Sequence, residues 1–257
     1  MNQFGFSVQE IQIFLLIFVR VAAMMAILPI FGDQAVPVMV RLGLSFFIAV
    51  IIYPIVPKTV LVPQGISEFI FQLSQTIFAG LFIGFFGIIF FGAIQLAGEI
   101  AGFQMGFAIV SVLDPMSRIQ MSIIAQFQNF MAILIFLLLD GHHLLIRGMV
   151  ESFQTVPLLG ATLNGNLGQI LIQMTGQMFV VAVKISAPIF VTLLLTNVGL
   201  GIVARTLPQM NVFIVGFPLQ IGLGLATLAI SVPLFFYVFE KYFVWFSTDW
   251  IKMIRLF

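Results

Sequence analysis

The side chains in this sequence that could do chemistry are few and fall in four places. Asp140, His142 and His143 offer a carboxylate and two imidazoles, donor types that first-row divalent metals accept. Adjacent helical residues point about 100° apart, however, which suits a two-ligand site poorly, and the H-E-x-x-H spacing is absent. The pair is therefore expected to be polar interface residues beside Asp140, with no metal site. No Ser/His/Asp set, phosphate loop, dinucleotide fingerprint or calcium loop occurs elsewhere, so neither catalytic residues nor a cofactor are expected.

Arg20 and Lys184 lie near the middle of apolar segments, where a basic side chain costs about 2.5–3.5 kcal/mol and should face protein or water. With Glu99 they read as buried charges. One reading is a line of charges along a conduit; the other is pairing with Glu99 or Asp114, or contact with another subunit. The third place, residues 99–115, reads E-I-A-G-F-Q-M-G-F-A-I-V-S-V-L-D-P. Gly102, Gly106 and Pro115 argue against a uniform helix. Phe103, Met105, Phe107, Ile109, Val110, Val112 and Leu113 make it too apolar for a solvated loop. Irregular backbone at membrane depth must be buried in protein or line a cavity, and Phe and Met suit a deformable seal. Residues 102–115 thus read either as a plug across a pore or as a re-entrant packing loop. The fourth place is the turn containing Arg205, Pro208, Gln209, Met210, Asn211 and Phe213. It suits a tight helical hairpin, in which Gln209 and Asn211 can cap helix ends and Arg205 can answer C-terminal carbonyls.

The elements that must position these groups are set by composition. Of 257 residues, 61% are hydrophobic and 7% charged, and the mean hydropathy is +1.21. A soluble domain carries about 25% charged residues, so this chain cannot cover itself with a polar surface. A soluble enzyme, a nucleic-acid binder and a disordered scaffold are excluded, and membrane lipid is the expected surrounding. The net charge of +1 indicates no polyanionic partner, and with no cysteine there are no disulfides or thiolate sites. The first ten residues contain Glu10 and no Lys or Arg, so the first apolar segment is expected to be retained rather than cleaved.

Six apolar segments, at about 11–30, 38–56, 69–97, 123–139, 168–204 and 213–245, are long enough to be helices near the ~20 residues a bilayer needs. Barrel alternation is absent, so an all-α integral membrane fold of about six helices is expected. Residues 69–97 and 168–204 are overlong, Pro188 is expected to break the fifth segment, and Pro218 and Pro233 to interrupt the sixth. Kinked, tilted helices or helices extending into a larger assembly would account for this. Residues 140–167 read as the longest polar connection. Gly80/Gly84 and Gly98/Gly102/Gly106 repeat at a spacing that permits close helix contacts.

The run L-L-L-T-N-V-G-L-G-I-V-A-R-T-L-P-Q-M-N-V-F-I-V-G-F-P-L-Q-I-G-L-G-L, residues 193–225, closely resembles the signature of the FliR family of flagellar biosynthetic export proteins. Type III secretion injectisomes contain counterparts with a looser version. The early R-V-x-x-x-x-x-x-L-P-I-F-G, residues 20–32, agrees, and the likeness covers essentially the whole chain. It implies a subunit of the export gate at the flagellar basal body in the bacterial inner membrane. FliP- and FliQ-type subunits would be its pore partners, an FlhB-type protein would sit at the cytoplasmic side, and unfolded flagellar proteins would be the substrates. It also implies a single embedded domain, with 1–167 a FliP-like part carrying the plug at 102–115, and 168–257 a FliQ-like hairpin and tail. Lys241, Lys252 and Arg255 place the tail in the cytoplasm by the positive-inside rule, whereas the resemblance places the Arg205 turn there. Two readings from other classes are a multi-pass secondary transporter, which would need midplane coordinating groups where Gln95 and Glu99 offer little, and a membrane-embedded metal-dependent enzyme built on His142, His143 and Asp140.

Overall fold

A computed structural model describes residues 7–32, 36–56, 65–107, 122–155, 166–207, 209 and 211–255. Among these there are eight helices: α1 (Val8–Ile27), α2 (Pro29–Gly32), α3 (Val38–Ile52), α4 (Ile66–Gln104), α5 (Ile123–Leu138), α6 (Gly141–Thr155), α7 (Asn166–Thr206) and α8 (Val212–Arg255). The all-helical expectation holds, with differences in detail. Four helices are long and apolar enough to cross a membrane, or five if α5 and α6 form one broken span. The 15 residues of α3 reach only about 22 Å, short of a ~30 Å hydrocarbon core.

Two expectations are corrected. The stretch 140–167 is not merely a connection, because α6 occupies its first part. Leu145, Met149, Ser152 and Phe153 recur at helical spacing and are buried, giving α6 an apolar face that its polar residues obscure in the sequence. The prolines do not break their segments either. Pro188 lies inside the 41-residue α7, and Pro218 and Pro233 inside the 44-residue α8. In lipid the alternative to helix is unsatisfied backbone, so each helix continues past the bond its proline cannot donate. Beyond Pro188, the Thr192 hydroxyl donates to the Pro188 carbonyl (2.8 Å) and Thr196 to that of Thr192 (2.8 Å).

The chain packs as two compact units. One comprises residues 1–90, 140–174 and 246–257. It opens with a capping box: the Ser7 hydroxyl accepts from the Glu10 N–H (3.2 Å) and the Ser7 N–H donates to the Glu10 carboxylate (2.9 Å). α1 packs on α3 through Phe14 and Phe46 edge to face at 5.4 Å. Gly80 and Gly84 let α4 approach α1 so closely that a Cβ at Gly80 would fall 2.5 Å from the Arg20 carbonyl oxygen. Phe90, Phe246 and Trp250 complete this core, with Gly148 of α6 beneath the indole. The other unit comprises residues 91–139 and 175–245, and it contains the plug and hairpin residues.

Candidate functional site

The site is built around the C-terminus of α4. Gly106 has φ +89°, the left-handed conformation that Gly adopts without steric cost. Its N–H donates to the Phe103 carbonyl (3.1 Å), and the Phe107 N–H to that of Gly102 (3.1 Å). This is a Schellman stop, which satisfies carbonyls the helix end would leave open. Gly102 lies within the helix rather than in irregular backbone, correcting the reading of the stretch from Gly102 onward. Its missing Cβ is used for packing: one built there would fall 2.0 Å from the Ser122 hydroxyl, and one at Gly98 would fall 2.2 Å from the Ala125 Cα.

Ser122 caps α5 by accepting from the Ile124 N–H (3.3 Å), while its own N–H donates to the Glu99 carboxylate (3.1 Å). Residue 107 therefore leaves α4 one turn beyond the place to which residue 122 returns. Met105 is fully buried in a cluster with Ala101, Ile124, Ile189 and Leu193, against which Phe107 and Leu228 pack. Phe103, by contrast, is 71% exposed. Ile109, Val110, Leu113 and Pro115 lie outside the described residues, as does Asp114.

α8 meets the end of α4. A Cβ at Gly106 would fall 3.1 Å from the Phe217 ring, and one at Gly224 would fall 2.6 Å from Met105. Across the hairpin, Gln220 donates to the Asn197 side-chain oxygen, and both line a cleft of about 290 Å³ with Leu200, Gly201, Ala204, Gly216 and Phe217. Sequence reasoning missed this pair. The available signal was two amides separated by 23 residues and placed on either side of the turn. At the turn itself, Arg205, Gln209 and Asn211 are exposed, the Leu207 N–H donates to the Val203 carbonyl (2.9 Å), and the Ile214 N–H to that of Asn211 (3.1 Å). Pro208 and Met210 lie outside the described residues, and Phe213 is described only as backbone of α8.

Arg20 is buried, donates to the Ser152 carbonyl (3.0 Å) and lies 4.6 Å from the Phe153 ring centroid, so α6 supplies the contacts that a membrane-depth guanidinium needs. Glu99 is half-buried at Ser122. Lys184 is exposed among the described residues, so they do not bury its charge. His142 and His143 come together more than their adjacency suggested. Their ring centroids are 4.2 Å apart, and His143 Nδ1 lies 3.2 Å from the Asp140 carboxylate.

Comparison with known proteins finds relatives over most of the chain. The flagellar biosynthetic protein FliR of Bacillus subtilis (strain 168) is 36% identical over 236 residues, covering 90% of each chain. That of Escherichia coli (strain K12) is 34% identical over 84% of this chain and 82% of its own, and that of Aquifex aeolicus (strain VF5) 30% identical over 90% and 93%. Residues 11–244, which include every described element of the site, match the family described as bacterial export proteins, family 1, and the chain belongs to that family.

Proposed function

We propose that this chain is a core subunit of the flagellar export gate, forming with FliP- and FliQ-type subunits the pore that passes unfolded flagellar proteins across the bacterial inner membrane. As a family member it is a multi-pass membrane component of the flagellar export apparatus, a transport component and not an enzyme. The observation that carries the finer reading is the incomplete cover of the hairpin. In the most apolar 18-residue window, 33% of α7 and 11% of α8 is buried within the chain, against 61% of α4. Exposed apolar side chains run from Ile172 to Ile202 on α7 and from Ile214 to Val244 on α8. Each run is about 45 Å long, against a ~30 Å hydrocarbon core, and a tilt of ~20° barely shortens it. Lipid alone does not cover such faces; neighbouring subunits with similar helices would.

In this reading 1–167 is the FliP-like part and 168–257 the FliQ-like hairpin and tail. The exposed turn from Arg205 to Asn211 meets the FlhB-type protein. Residues 102–115 close the pore, with Gly102, Met105 and Gly106 fixing one end and Ser122 the other, so that the gating side chains are Phe103 and those beyond Phe107. A narrow apolar passage excludes hydrated ions by dewetting while an unfolded chain can still displace it. The test is to co-express the chain with FliP- and FliQ-type subunits, recover the complex, and measure its conductance in bilayers with and without residues 106–112. The shortened chain is expected to assemble and to leak ions above the parent. An assembled complex that leaks no more than the parent makes 102–115 packing only, and failure of the parent to recover those subunits removes the gate assignment.

A further inference from the structure

We propose that Asp140, His142 and His143 form a binding site for a divalent transition metal of the Zn²⁺ class at the start of α6. Each offers one ligand atom, and the three lie within 4.8 Å of one another. The contact between His143 Nδ1 and Asp140 Oδ1, 3.2 Å, is already close to the spacing of roughly 3.4 Å between ligands of a tetrahedral Zn²⁺ with bonds of about 2.1 Å. The rings stand 4.2 Å apart at a 36° tilt, so small side-chain rotations bring the remaining nitrogen into range.

A second observation is independent of that spacing. His142 Nδ1 is buried and has no hydrogen-bond partner among the described residues. A buried ring nitrogen without a partner is costly in whichever tautomer it is held, and coordination through that nitrogen would remove the cost. An ion pair between His143 and Asp140 alone leaves His142 unexplained. The Asp140 and His143 side chains are 75% and 70% exposed, leaving a path for the ion and open positions for water or a further ligand. Two imidazoles with one carboxylate favour Zn²⁺, Ni²⁺ or Cu²⁺ over Mg²⁺ or Ca²⁺, which prefer all-oxygen shells. The bound ion would also fix Asp140, which holds a left-handed φ of 56° that side chains rarely adopt.

The chain contains two histidines and no cysteine, so imidazole coordination by this chain can arise nowhere else. The full chain, with the subunits that co-purify and without a polyhistidine tag, is stripped with chelator and titrated calorimetrically with ZnCl₂. Co²⁺ serves as an optical probe. One Zn²⁺ per chain is expected, with visible Co²⁺ bands of tetrahedral intensity. His142→Ala, His143→Ala and Asp140→Asn should each weaken binding at least about tenfold, the loss that even an outer-shell change causes. Asp249→Asn, outside the site, should leave it unchanged. Should a variant misfold, unmodified protein decides: Zn²⁺ should slow diethylpyrocarbonate modification of both histidines. No saturable binding by the parent, unchanged affinity in H142A and H143A, or unprotected histidines overturns the site.

Discussion

In α4, a Cβ added at Gly80, Gly84, Gly87, Gly98 or Gly102 would fall within 3 Å of a neighbouring atom. In the hairpin, Gly176, Gly199, Gly201 and Gly222 face nothing within 4 Å. Both sets lie inside long helices, where Gly costs about 1 kcal/mol relative to Ala. In α4 that cost is offset by close helix contact within this chain. Gly224 of α8 receives the same compensation from Met105, but at Gly176, Gly199, Gly201 and Gly222 the described residues supply none, so the return there would come from surfaces beyond them. The same residue type thus marks close contact within the chain at one set of positions and an open face among the described residues at the other.

The largest effect should come from breaking the first set. Gly98→Ala forces a methyl to within 2.2 Å of the Ala125 Cα, a backbone atom that cannot step aside. We expect a loss of at least about 1–3 kcal/mol in detergent unfolding, despite the gain in helix propensity. Parent-like stability would mean that the α4 seam is looser than described. A smaller effect tests how that seam anchors the segment after it. Glu99→Ala removes the acceptor for the Ser122 N–H and should cost about 1 kcal/mol. Glu99→Gln keeps an oxygen there and should restore most of it, measured by the same unfolding. The smallest effect on the chain, with the opposite sign, belongs to the hairpin. Gly199→Ala and Gly222→Ala should leave the isolated chain unchanged or stabilise it by up to ~1 kcal/mol. Recovery of FliP- and FliQ-type subunits should nevertheless fall. Undiminished recovery would remove the contrast between the two sets.

Much of the fold was legible because lipid leaves a chain few options. Six long apolar runs without alternation can only be helices, and all six are. What was not legible depended on partners distant in sequence. Gly102 reads as a helix breaker until Ser122 is seen to need the space, and the cluster of Met105 with Ile124, Ile189 and Leu193 joins residues far apart in the sequence. Prolines 188, 218 and 233 mislead for another reason: their rule is calibrated where water can take up a freed carbonyl. α6 was hidden because its apolar residues are spaced among polar ones, and with it went Ser152 and Phe153, both partners of Arg20. The hairpin turn was found from its residue types, but the amides that tie its arms, Asn197 and Gln220, gave no local signal.

The bond between Glu99 and Ser122, beside Gly102, brings exit and return together at one point. Whatever runs between them is mounted like a cassette in a socket. The packing of the socket rests on contacts among the described residues, so it does not depend on which sequence is carried between its two ends. Swapping residues 108–121 between family members would test whether the helices of the socket hold independently of what they carry.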